Sequence, residues 1–126
     1  MIFSTAPNVD YWTHHFDLTG TGETTVFTAP TASAAGDVGG SHVDILSISI
    51  CPSDGVAGTA TVKHGDGTTD WVLVRLGVVT GPIPLELGCL PLAMGSGHTI
   101  KVTGADNQMV SISGVRYVRD VNKPAR

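Results

Sequence analysis

Apolar residues recur at every second position along most of this chain, in runs that end within about ten residues at glycine, proline or an Asp-Gly pair. That period places alternate side chains on opposite faces of an extended strand and does not fit a helix, which needs a repeat near 3.6. Residues 11–18 set Trp12, His14, Phe16 and Leu18 on one face. Residues 43–50 alternate Leu46, Ile48 and Ile50 with Ser47 and Ser49. Residues 98–103 direct Ile100 and Val102 inward, and residues 108–118 direct Val110 and Ile112 inward.

Further runs at 23–29, 57–64, 69–76 and 82–87 bring the expectation to about eight strands. In 69–76, Val72, Val74 and Leu76 share one face, with Trp71, Leu73 and Arg75 on the other. In 82–87, Ile83, Leu85 and Leu87 share a face, and Pro82 and Pro84 assign the strand to an edge. Thr19-Gly20-Thr21-Gly22 and Gly65-Asp66-Gly67-Thr68 read as hairpin turns, joining 11–18 to 23–29 and 57–64 to 69–76. Leu90–Met94 reads as an apolar link, and Gly114 as a bulge in the last strand. The fold class is all-β, an antiparallel β-sandwich or jelly-roll-like domain over residues 11–118. Residues 1–10 form an N-terminal arm and 119–126 a basic tail.

Charge narrows the function. Only 14% of the 126 residues are charged, against about 25% in ordinary soluble domains. The net charge of −4 is uneven, with the last eleven residues carrying Arg116, Arg119, Lys123 and Arg126 against Asp120 alone. An acidic body with so short a basic end argues against nucleic-acid binding. No apolar run approaches the roughly 18 residues that span a bilayer, and the N-terminus lacks the basic start and apolar stretch of a signal peptide. Cys51 and Cys89 read as reduced, buried thiols.

No catalytic or metal motif emerges. There is no nucleophile elbow, phosphate loop, dinucleotide fingerprint or Cys-x-x-Cys. His14 and His15 point to opposite faces of one strand and cannot share an ion, while His42, His64 and His98 lie at strand ends. Asp66–Asp70 lacks the length and closing Glu of a calcium loop. The chain therefore reads as no enzyme, with no metal and no cofactor. The aromatics are the remaining candidates: Trp71, Tyr11 and Trp12 would contact a partner, or a sugar, if their faces are open.

Four stretches carry a resemblance. They are Thr25-Val26-Phe27-Thr28-Ala29-Pro30 after a Gly-rich turn, residues 43–50, Asp70-Trp71-Val72-Leu73-Val74, and Pro91-Leu92 through Gly97-His98-Thr99-Ile100-Lys101-Val102. Over roughly residues 20–118 the pattern resembles small β-sandwich virion proteins of tailed bacteriophages and gene transfer agents. The resemblance implies a virion location after assembly in the host cytoplasm. It also implies a non-enzymatic structural role, foremost as a capsid decoration (cement) protein bound between capsid subunits. A tail, fibre or head-spike component, or a carbohydrate-binding module for host attachment, is the alternative. Partners would be the major capsid protein or other virion subunits, and copies of the chain itself, a trimer being the expected oligomer. Ile2, Phe3, Tyr11, Trp12, Trp71, Arg116, Arg119 and Arg126 are the candidate contact residues.

Overall fold

The computed structural model describes residues 8–30, 41–81, 83–88 and 91–118, with backbone only for residues 8, 9, 41, 42, 117 and 118. Nine strands lie among them: β1 (Asn8–Asp17), β2 (Glu23–Thr28), β3 (Ser41–Pro52), β4 (Gly58–Gly65), β5 (Asp70–Val79), β6 (Leu85–Glu86), β7 (Leu92–Met94), β8 (Thr99–Thr103) and β9 (Gln108–Val118). They form two antiparallel sheets. One has the order β1-β9-β3-β6, with β7 also paired to β3, and the other has the order β2-β8-β4-β5. The protein is thus an all-β sandwich. Strand β1 begins within the stretch expected as an arm.

The core lies between the sheets. Ile45, Ile48, Ile50, Val110 and Ile112 line one inner face, and Val26, Ala60, Val62, Ile100 and Val102 the other. Each fully buried valine or isoleucine among them contributes about 1.5–3 kcal/mol. At the lower end, where β1 finishes and β2 starts, a buried Gln108 closes the sandwich. Its Oε1 accepts from the Ala105 N–H at 3.1 Å, and its Nε2 donates to the Thr59 carbonyl at 3.3 Å.

The strand pairing corrects several expectations. Residues 11–18 and 23–29 are not a hairpin. β1 pairs with β9 and β2 with β8, so the Gly-rich turn carries the chain from one sheet to the other. Residues 57–65 and 70–79 do form a hairpin. The apolar link at 90–94 contains the short strand β7, held against the start of β3.

Bulges account for the misassigned faces. On β3 the register shifts between Ile45 and Ser47, so the extra residue Leu46 turns outward while Ile45 becomes fully buried. The bulge expected at Gly114 therefore belongs to its partner strand. Gly114 is needed for a different reason: a Cβ there would lie 2.5 Å from Trp12 Cζ2 and 2.6 Å from the Asp44 carbonyl oxygen. β5 shifts twice against β4, and the second irregularity puts Leu76 at φ 51°, in the left-handed region. The Leu76 N–H is held by Thr61 Oγ1 at 3.0 Å. Two irregularities break the expected face: Val72 and Leu76 are exposed, whereas Leu73 and Val74 both pack on the core. Ile83 is exposed too, because only Leu85 and Glu86 of its segment join the sheet.

Candidate functional site

The upper end of the sandwich gathers the start of β1, the end of β2, the starts of β3, β5 and β8, and the ends of β4 and β9. A cleft of ≈ 360 Å³ opens there, lined by Asp10, Trp12, Phe27, Thr28, Pro30, Val43 and Arg116. Trp12 and Phe27, on facing sheets, stack with centroids 4.9 Å apart and planes within 8°. Asp10 and Arg116 are cross-strand partners at its mouth. Trp12 is therefore a half-buried wall of the cleft and not a freely presented contact residue. Pro30 is brought to the same end by hydrogen bonds from Ala29 N–H to His98 O and from Gly97 N–H to Ala29 O.

Beside this cleft the end of β4 and the loop before β8 bring two histidines together. His64 Nε2 and His98 Nδ1 are 3.0 Å apart, a hydrogen bond in which one imidazole donates to the other. Trp71 on β5 is the cross-strand partner of His64 on β4, its ring 5.7 Å from the imidazole. Burial, reinforced by His98, lowers the His64 pKa from its ordinary 6.5, against an opposing pull from Asp66. Asp66 is held below its ordinary 3.8, chiefly by the backbone N–H groups of Thr69 and Thr68. Asp66 Oδ1 accepts both, at 2.7 and 2.8 Å, which is the Asp-Gly turn expected from the sequence. Among the described residues no group of three or more histidine, cysteine, aspartate or glutamate side chains could hold a metal ion.

The outer face of the sheet containing β1, β9 and β3 is of another kind. Rows of short polar side chains cross it: Thr13 with Ser113 and Ser47, then His15 with Ser111 and Ser49. Thr13 and Ser113 hydroxyls are 3.4 Å apart, and His15 Nδ1 is 2.9 Å from Ser111 Oγ. His14 points the other way, to the Val26 carbonyl at 3.0 Å, as the strand alternation requires. Tyr11 stands on the outer face, 79% exposed, and Cys51 is half-buried and not fully buried as expected.

A third surface follows the edge strand β5. Leu76 and Val78 are 66% and 65% exposed, and Val56 and Ile83 join them near the lower end. The loops carrying those two touch, with Gly81 packed against the Gly55 backbone. Of the contact residues expected from sequence, Trp71 is exposed and Arg116 is half-buried in the cleft. Ile2, Phe3, Arg119 and Arg126 lie outside the described residues, as does Cys89. The exposure of Leu76, Val78, Val56 and Ile83 was not expected from the sequence.

No protein-family model matches the chain, and no curated protein matches it. Solved structures resemble it to differing degrees. A Bacillus endospore appendage protein, from a family of disulfide-linked pili, is 12% identical with a TM-score of 0.52, covering 95% of this chain and 96% of its own. The nucleoplasmin-like N-terminal domain of Drosophila FKBP39 is 14% identical with a TM-score of 0.50, covering 93% and 95%. A pentameric capsid protein isolated from metagenomic phage sequences is 19% identical at a TM-score of 0.37, covering 87% of this chain and 63% of that one. The first two likenesses show the fold alone, a small β-sandwich found in proteins of differing roles.

Proposed function

We propose that this protein is a non-enzymatic structural subunit of a phage-like virion, a decoration protein that binds between capsid subunits and stabilises the head. The observation that carries the reading is the apolar margin of β5. Large hydrophobic side chains at Leu76, Val78, Val56 and Ile83 are each about two-thirds exposed. A free domain leaves such a surface to aggregate, whereas a subunit buries it against a neighbour. Leu76 adds weight. A branched residue at positive φ costs about 1–3 kcal/mol, and here the strained conformation turns a leucine toward solvent.

The sparse charge supports the same role. The strands β1, β9 and β3 contain one cation, Arg116, and it faces the cleft. Hydroxyl rows on the outer face lose less on dehydration than lysines or glutamates would. The described irregularities of β5 disrupt its hydrogen-bonding edge, so docking through side chains fits better than strand addition. The pilus protein of the spore appendage shows that this sandwich architecture occurs in an assembling protein.

The test is co-sedimentation with heads that lack the protein, comparing wild type with Leu76→Asp. Wild type should saturate defined sites and Leu76→Asp should not bind. Equal binding by both would sink the reading.

A further inference from the structure

The geometry points to Trp71 as the stacking platform of a binding site for a neutral pyranose glycan, with His64, His98 and Asp66 as its polar rim. This goes beyond the assembly role and uses a different end of the molecule from the β5 apolar margin. The sequence left three aromatics open for such contact, and the fold separates them. Trp12 is committed to Phe27 inside the cleft, and Tyr11 stands on the outer face of the opposite sheet. Trp71 alone of the three combines an open indole, 48% exposed, with nearby hydrogen-bonding side chains.

The platform is pre-set. His64 backs the indole at 5.7 Å, and His98 holds His64 through the 3.0 Å nitrogen–nitrogen contact. A tryptophan fixed this way gives up little side-chain entropy on binding. A pyranose ring offers an apolar C–H face to the indole and a rim of hydroxyls that donate and accept. Asp66 sits in the turn joining the two strands that carry His64 and Trp71, close enough for its charge to act on both imidazoles. Its carboxylate has about four acceptor sites, and the Thr68 and Thr69 N–H groups fill two.

Charge selects the sugar class. The adjoining Lys101 is neutralised by Asp70, at 3.2 Å to both carboxylate oxygens. The rim therefore presents the Asp66 carboxylate, with the neighbouring Lys101 already paired to Asp70. Sialylated, sulfated and uronic sugars are disfavoured, and neutral hexoses fit.

The test titrates the full-length protein with maltohexaose, cellohexaose, mannohexaose and chitohexaose. Tryptophan fluorescence and one-dimensional NMR supply the readout, and circular dichroism checks the fold of each variant. At least one neutral oligosaccharide should give saturable binding. Trp71→Ala should weaken it about tenfold or more. Trp71→Phe should retain most of it, and Tyr11→Ala should change nothing. No saturable response to the four sugars or to neutral glycans on an array would overturn the proposal. So would undiminished binding by Trp71→Ala, or a preference for anionic glycans. Loss of head binding in Trp71→Ala with no glycan response would also overturn it, by making Trp71 a protein contact.

Discussion

Gly114→Ala should destabilise this protein, although the same change at an unremarkable backbone position would stabilise it. Replacing glycine where alanine fits gains about 0.4–1 kcal/mol by restricting the unfolded chain. Gly114 has no such room. Its added Cβ would meet Trp12 Cζ2 at 2.5 Å and the Asp44 carbonyl oxygen at 2.6 Å, where carbon contacts settle near 3.5–4.0 Å. The indole would have to retreat by about 1 Å. It cannot do so freely, because Phe27 stacks on it from the other sheet. The carbonyl cannot yield either, since Asp44 belongs to the β3–β9 ladder beside the bulge at Leu46.

Overpacking of this kind costs about 1–3 kcal/mol, occasionally more. The net loss should be about 0.5–2.5 kcal/mol once the unfolded-state gain is set against it. Urea unfolding followed by tryptophan fluorescence should then show a midpoint lower by about 1 M, with the slope unchanged. The contact with Trp12 is separable from that with Asp44. In a Trp12→Leu background the added methyl meets only the carbonyl, so its cost should fall by about 1 kcal/mol. A Gly114→Ala midpoint equal to or above wild type would refute the close-approach explanation. Equal costs in both backgrounds would remove the indole from it.

Other outcomes follow from the same geometry. Leu76→Asn should leave the fold as stable as wild type or up to about 1–2 kcal/mol more so, since Asn tolerates positive φ, while head binding is lost; urea midpoints and co-sedimentation measured together check this. Gln108→Ala should cost about 1–3 kcal/mol by thermal unfolding, because its two hydrogen bonds to the part-buried Ala105 N–H and Thr59 carbonyl are lost. The lowered pKa of His64 means the unfolded chain takes up its proton first. Stability should therefore fall as pH drops below about 6.5 and level off beneath the folded pKa. His64→Gln should flatten that part of the profile, and a profile unchanged by the substitution would contradict the assignment.

The pattern of the chain carried the all-β class, the inward sets on β8 and β9, the Asp66 hairpin and the opposed directions of His14 and His15. These are local properties. Alternation assigns faces within one uninterrupted strand, and Asp-Gly chemistry closes a turn within four residues. The exposure of Trp71 was left open by the sequence, and its place on the edge strand decided it.

What only the tertiary structure decided depends on partners distant in sequence. That Trp12 is a cleft wall follows from Phe27 arriving on the facing sheet. That Leu46 and Leu76 turn outward follows from register shifts, which exist only between two paired strands and reverse every side chain beyond them. The first turn joins sheets and not neighbouring strands because β9 and β8, far later in the chain, compete for β1 and β2. The meeting of His64 with His98 has the same origin. A period of two sets which residues can face together, but the choice of neighbouring strand sets which of them meet.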